Sequence, residues 1–314
     1  MDNLNPFFSI IIPSYNRAHS ILGAVSSILN QSFKFFEIIV VDDASTDNTR
    51  EIIATIHDER VFYLRNEDNL ERCNSRNIGI RRAKGQYVCF LDSDDYHLPD
   101  HLKLIYDEIK RVGEPKAFFF TNAWNETSSG IRTERECPDF NLYDPFTYFL
   151  RYTVNPQRWA VHKSILVQNL FDPDIVICED MDTSLRIAAS KVQIHQIKVR
   201  STVYVAAEDS FTVSDPRKAE KELYYLKKIF ARVELKDYLP TKEKKRLLSM
   251  CYYHLSVKSF RNNQKWQTIR YSLKSVVLYP KGYNGNTLKP ILVMIFYSIP
   301  IIGDCMKAFI RFVK

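Results

Sequence analysis

Residues 85–95 read Gly85-Gln-Tyr-Val-Cys-Phe-Leu-Asp-Ser-Asp-Asp95. The apolar run Tyr87–Leu91 lies between a glycine and three acids, the pattern of a buried strand that ends in a charged turn. Working outward, the same signal recurs. Phe8–Ile12 reads as a strand stopped by Pro13, Glu37–Val41 as a second, Val61–Leu64 as a third and Ala117–Thr121 as a fifth. Helical spacing fills the gaps. Ala18–Gln31 puts Ile21, Val25, Ile28 and Leu29 on one face, and Ser45-Thr-Asp-Asn-Thr49 offers caps for a helix to about His57. Asn69–Lys84 and Pro99–Arg111 complete the series. This alternation predicts an α/β fold with a parallel sheet covered on both faces, in which ligands gather at the carboxyl ends of the strands.

The chain has 314 residues, 45% of them hydrophobic and 26% charged, which excludes wholesale disorder. Residues 122–214 are harder to read. After Asp215 the pattern becomes helical, over Lys218–Val233, Thr241–Arg261 and Gln264–Leu278, so a boundary separates 1–214 from 215–314. Charge divides at the same place. Residues 1–214 hold 23 Lys and Arg against 30 Asp and Glu, whereas 215–314 hold 21 against 7. Such a basic half points to an anionic partner, or only to solvated helix faces. The run Pro290–Ile302 is nearly all apolar but shorter than the ~20 residues a membrane span needs. With Lys307, Arg311 and Lys314 behind it, segment 289–314 reads as a helix lying in a membrane interface, or docked on the core or on a second subunit as a homodimer contact. No basic-aromatic nucleic-acid module is recognisable. The six cysteines form no Cys-x-x-Cys pair and the N-terminus has no basic leader, which favours reduced thiols in a cytoplasmic protein.

The candidate chemistry lies in the acids. Asp42 and Asp43 follow the second strand, and Asp92, Asp94 and Asp95 follow the fourth. Carboxylates this close repel one another unless a cation is present, and carboxylate oxygens suit Mg²⁺ or Mn²⁺. No Gly-rich phosphate loop is present, so phosphates would be held by metal and by Arg or Lys. The alternative for such an Asp-rich turn is a helix N-cap, as Asp95 ahead of Pro99 would be.

Four pieces, in order, carry a resemblance: Phe8-Ser-Ile-Ile-Ile-Pro-Ser-Tyr-Asn-Arg17, Val40-Val-Asp-Asp-Ala-Ser-Thr-Asp47, Ser75-Arg-Asn-Ile-Gly79 and the 85–95 stretch. Together with Cys178-Glu-Asp-Met-Asp182 and Arg186, they resemble glycosyltransferase family 2 and its GT-A fold over roughly residues 8–210. The resemblance implies an inverting, metal-dependent enzyme that uses a nucleotide sugar, most simply a UDP-sugar, with Mn²⁺ or Mg²⁺. By the same resemblance Pro13, Tyr15, Arg17, Asp43, Arg76, Asp92 and Ser93 would bind the nucleotide, with Tyr15 against the base. Asp94, with Asp92, would meet the metal. Asp180 would be the general base, flanked by Glu179 and Asp182. The acceptor would be a glycan or a polyprenyl-diphosphate-linked glycan at the inner face of a bacterial membrane, touched by Trp159 and Asp182. The departure is Tyr204-Val-Ala-Ala-Glu-Asp-Ser210, which lacks the Arg and His that relatives often carry, so Glu208, Asp209, Arg72 or Arg76 would serve there. His162 and His195 are further candidates. A nucleotidyltransferase or a non-catalytic sugar-nucleotide-binding module are the alternative readings.

Overall fold

A computed structural model of the chain describes residues 6–113, 115–206, 217–282 and 288–298. Two compact units, Met1–Val213 and Ser214–Lys314, divide it. Glu208 and Asp209, and the 299–314 part of the basic tail, lie outside the described residues.

In the first unit the strands are β1 (Phe8–Ser14), β2 (Phe36–Asp42), β3 (Val61–Arg65), β4 (Tyr87–Phe90), β5 (Tyr96–His97), β6 (Ala117–Glu126), β7 (Arg132–Glu134), β8 (Trp159–His162) and β9 (Gln193–Val205). The helices are α1 (Ile21–Leu29), α2 (Thr49–Ala54), α3 (Glu71–Arg82), α4 (His101–Arg111), α5 (Pro145–Arg151), α6 (Lys163–Gln168) and α7 (Glu179–Ala189). One sheet runs in the order β3-β2-β1-β4-β8-β6-β9-β5, with β7 paired to β6. The first four strands are mutually parallel. They are joined through helices, as parallel neighbours require. Side chains of β1, β2 and β4 are almost wholly buried on both faces, and helices α1 and α4 contribute Ile21, Val25, Ile28, Leu102, Ile105 and Ile109 to one core. The apolar area removed from water there stabilises at roughly 25 cal/mol per Å².

The expected mostly parallel sheet is present, and strand β8 enters it antiparallel between β4 and β6. That strand has four residues and sits in the stretch where no helical crossover is readable. One expectation is corrected: Pro13 does not stop β1, which runs on to Ser14 against Asp42. The ladder on the β4 side already ends at Ile11 and Phe90, so a residue without an N–H fits beyond it.

Two glycines set close approaches. A Cβ on Gly79 of α3 would lie 2.5 Å from Ile11 Cγ2, and one on Gly85 would lie 2.5 Å from the Ser9 nitrogen. The first lets α3 lie directly on β1, which carries Arg76 under the carboxyl ends of the strands. The second unit is helical, with α8 (Lys218–Phe230), α9 (Thr241–Arg261), α10 (Lys265–Leu278) and α11 (Leu288–Ser298). Among the described residues no helix is long and apolar enough to cross a membrane.

Candidate functional site

A cleft of about 510 Å³ opens where β1 and β4 end. Its lining includes Pro13, Ser14, Tyr15, Arg17, Asp43, Arg72, Arg76, Asp92, Ser93, Asp94 and Asp95, all from the stretches that read as strand ends and the following helix. Residues 122–206 add Arg135, Asn155, Gln157, Tyr204 and Val205.

The rim is shaped by the loop after β1. Asn16 takes a positive φ of 53°, its N–H donates to Ser45 Oγ, and its side-chain oxygen accepts from Thr46 N. The Arg17 N–H donates to Thr49 Oγ1. These bonds lock the rim to the turn after β2 and leave Tyr15 half exposed at the mouth. The two acids of that turn have different tasks. Asp42 is fully buried and spends both oxygens on the fold, accepting from Ser45 N, the Tyr63 hydroxyl and Arg65. Asp43 lines the cleft, with Oδ1 fixed by Asn66 Nδ2 at 2.7 Å and Leu70 N at 2.9 Å.

Below them, the buried Arg76 guanidinium donates to Glu179 Oε1 at 2.9 Å and to Asp92 Oδ1 at 3.1 Å. Burial works against its charge, but Asp92 and Glu179 outweigh that and push its pKa up. Arg17 lies 3.7 Å from Asp94, and Arg72 3.7 Å from Glu179. Asp94 and Asp92 keep about a quarter to a third of their side chains open, at 26% and 32%. Asp95 does not: it accepts from Val205 N at 2.8 Å and from Gln157 Nε2 at 3.1 Å. Burial, and the charges of Asp92 and Asp94, hold Asp95 well above the ordinary carboxylate range.

Helix α7 begins with Glu179 and Asp180, just after Cys178 in a left-handed turn. Neither acid lines the cleft directly. Asp180 stands behind Asn155, whose Nδ2 donates to Asp180 Oδ2 at 3.2 Å, and its Oδ1 accepts from Met181 N. Burial, then the neighbouring Glu179 charge, raises its pKa to about 7. A carboxylate poised there suits proton transfer at neutral pH.

Several assignments fall elsewhere. Trp159 is fully buried: its Nε1–H donates to Val154 O at 2.7 Å and its ring stacks on Phe171. It is core, not an acceptor contact, because Phe90, Phe118 and Phe171 pack around a fully buried ring and leave no face for a sugar. Asp182 is likewise closed in, paired with Arg186 Nε at 2.9 Å one turn on, while that guanidinium also donates to Leu170 O. Both serve α7 rather than an acceptor. His162 caps α6 through Ser164. His195 stacks on Phe119, 4.9 Å between ring centroids.

Gln157, Asn155 and Arg135 carry no motif in the sequence that points to this cleft, and Tyr204 enters it from the stretch that departs from the family pattern. Gln157 Nε2 donates to both Asp92 and Asp95, and its backbone oxygen accepts from the buried His97 and from Thr202. It therefore sets the direction of both carboxylates. Gln157→Glu adds a third acid to that contact. Its melting temperature should fall by several degrees at pH 8 and recover toward pH 5, since a buried acid favours the folded state only when protonated.

The cleft carries unmet groups. Among the described residues, buried polar atoms without a partner include Ser14 Oγ, Arg76 Nε and Gln157 Oε1, all on lining residues. Buried polar groups are otherwise paired as a rule, so in an open cleft such groups are left for water or for a ligand. The donor set also fits a divalent cation. No group of three His, Cys, Asp or Glu side chains converges among the described residues. Asp94 and Asp92 are nevertheless accessible, and one or two carboxylates, with phosphate oxygens and water, are what Mg²⁺ or a similar ion takes.

Comparison with known proteins defines the class. Residues 9–166, half of the chain, match the family model "Glycosyl transferase family 2". The chain therefore belongs to that family. It is similar to the Escherichia coli protein named UDP-Glc:alpha-D-GlcNAc-diphosphoundecaprenol beta-1,3-glucosyltransferase WfaP, at 40% identity over 111 residues, 35% of this chain and 43% of that protein. The chain spans about two fifths of the length of the curated relatives it matches first. Among solved structures, S. aureus TarS 1-349 in complex with UDP-GlcNAc superposes with a TM-score of 0.62 at 18% identity, covering 96% of this chain and 91% of that one. The mannosyltransferase PcManGT from Pyrobaculum calidifontis, in complex with GDP-Man and Mn2+, gives 0.57 at 18% identity, covering 97% and 87%. The shared architecture is the GT-A fold.

Proposed function

We propose that this chain is an inverting glycosyltransferase that moves a sugar from a nucleotide sugar, in the first instance a UDP-sugar, to a hydroxyl of a glycan. The acceptor in this reading is carried on a polyprenyl diphosphate at the cytoplasmic face of a bacterial membrane, in surface-polysaccharide synthesis. The observation that carries it is the Arg76 bridge, which joins Asp92 at the end of β4 to Glu179 at the start of α7. One polar cluster thus holds acids suited to a metal-bound diphosphate and, behind Asn155, a carboxylate with the pKa of a base.

Tyr15 and Asp43 take the base of the nucleotide, and Ser93 and Asp92 its ribose. Asp94, with Asp92, would hold Mn²⁺ or Mg²⁺, which supplies positive charge to the departing diphosphate. Arg17, Arg72 and Arg76 add charge beside it. The acceptor oxygen forms its bond to the anomeric carbon as the bond to the diphosphate breaks. Its proton passes to Asp180 when the acceptor hydroxyl takes the place of Asn155 Nδ2 at Asp180 Oδ2, and the nucleoside diphosphate leaves. Attack from the side opposite the leaving group inverts the centre. The UDP choice is supported by the names of the similar glucosyltransferase and of the TarS complex. The C-terminal segment 289–314 is the proposed membrane contact.

Titration of the full chain with UDP, GDP, CMP and dTDP, with and without Mn²⁺, tests the reading. Metal-dependent binding of one of them is expected, and binding of none would sink it. A second expectation concerns pH. Transfer should rise with pH through about 7, where Asp180 loses its proton. Glu179→Gln removes the neighbouring charge that helps to raise that pKa, so the rising limb should move to lower pH in a rate profile.

A further inference from the structure

Helix α10 wears its side chains inside out. Its most buried residues are small and polar: Thr268, Ser272 and Ser275, all at 1% exposure or less. Ser275 and Ser249 of α9 exchange hydroxyl-to-carbonyl bonds of 2.9 Å in both directions, which holds the two helices close. The opposite side carries Trp266, Leu273 and Val277, exposed at 78%, 51% and 79%. At about 100° per residue these three lie within roughly 40° of one another, along about 16 Å of helix. Ile269, Tyr271 and Val276 on the flanks are half-buried. A helix meant for water turns its apolar stripe inward. Here α10 turns a threonine and two serines inward, two hydroxyl contacts joining it to Ser249 of α9, and the apolar row is left outside.

The charge on α10 itself is of one sign. Arg270 borders the row and Lys274 lies beyond it, its ammonium over the Tyr252 ring, both exposed, and α10 contains no Asp or Glu. Residues 215–314 as a whole carry 21 Lys and Arg against 7 Asp and Glu. An exposed apolar row with a tryptophan and a basic rim matches a bilayer surface, where indole sits at headgroup depth and anionic lipid meets the cations. A second copy fits less well, because a two-fold contact through this row would set Arg270 and Lys274 near their own duplicates.

We infer that the outward face of α10, built from Trp266, Leu273 and Val277 with Arg270 and Lys274, is a docking surface for an anionic lipid membrane. It is distinct from the proposed contact of segment 289–314. It rests on the lipid-carried-acceptor reading for its purpose only, since the exposure stands without it.

The test uses the full chain and two kinds of vesicle, phosphatidylcholine alone and phosphatidylcholine with phosphatidylglycerol. The triple variant Trp266→Ser, Leu273→Ser, Val277→Ser keeps segment 289–314 intact and alters only solvent-exposed side chains. Co-sedimentation of the unmodified chain with the anionic vesicles is expected, weaker at high salt. The triple variant should lose about tenfold or more in partitioning, with its melting temperature unchanged. Equal binding by the triple variant would overturn the inference, as would no binding of the unmodified chain to anionic vesicles. A dimer in gel filtration that the triple variant dissolves, without vesicle binding, would assign the face to a second copy and also overturn it. Nucleotide titration of the cleft needs no membrane, so failure here is separable from failure of the transferase reading.

Discussion

Asp180→Asn should abolish nearly all sugar transfer, by about 10²–10⁴-fold, while leaving nucleotide affinity close to that of the unmodified chain. The amide keeps the size of the side chain but cannot take a proton from an attacking hydroxyl. The same change should make the protein more stable, because it removes the cost of a buried carboxylate whose pKa is raised. The folded pKa of Asp180 is raised by burial and by Glu179, to about 7 against 3.8 for the free group. The folded state therefore holds its proton more tightly than the unfolded one, and stability drains away as pH climbs between those two values. Above about 7 the cost is constant. The gain in melting temperature of Asp180→Asn over the unmodified chain should thus widen from pH 4 to pH 7 and then level off. Thermal melts across that range, read beside transfer rates, check both halves.

Asp94→Ala should remove the metal dependence of the site. Asp94 is accessible in the cleft, whereas Asp95, its neighbour, is spent on Val205 N and Gln157, and Asp92 is held by Arg76 and Gln157. Nucleotide affinity of the variant in Mn²⁺ should drop to the level the unmodified chain shows in EDTA. Turnover should fall by about 10²-fold or more, the scale set by losing one preorganised stabiliser of developing charge. Asp182→Asn is the contrast. Asp182 is buried against Arg186, so its loss should lower the melting temperature and leave the metal dependence intact.

Much of this site is legible from residues 8–95 because each functional acid there rides on its own signal. An unbroken apolar strand, its end and two or three carboxylates occupy ten residues or so, and parallel pairing through helices brings β1, β2 and β4 side by side. Residues 122–206 offer no such signal. Gln157 reaches Asp92 across 65 positions, from the single turn Pro156–Arg158 just ahead of a short antiparallel strand whose neighbours lie far off in sequence. The polar run Asn155-Pro-Gln-Arg158 just before the apolar Trp159-Ala-Val161 was the one available hint. Trp159 misleads for a related reason. An aromatic beside polar residues resembles a sugar platform, and only the Val154 carbonyl and the Phe171 ring reveal that its needs are met inside. In α10 the periodicity identifies a helix but not its orientation, because the burial of serines is decided by their fit against α9.

The most direct test of the central claim is donor hydrolysis. The unmodified chain, Asp94→Ala and Asp180→Asn are incubated with Mn²⁺ and a panel of UDP-, GDP-, CMP- and dTDP-sugars, and free nucleotide is measured. The account predicts slow release of nucleotide from one donor, a UDP-sugar first, by the unmodified chain alone, and loss of that release in EDTA and in Asp94→Ala. Release that persists undiminished in Asp94→Ala and in EDTA would contradict it.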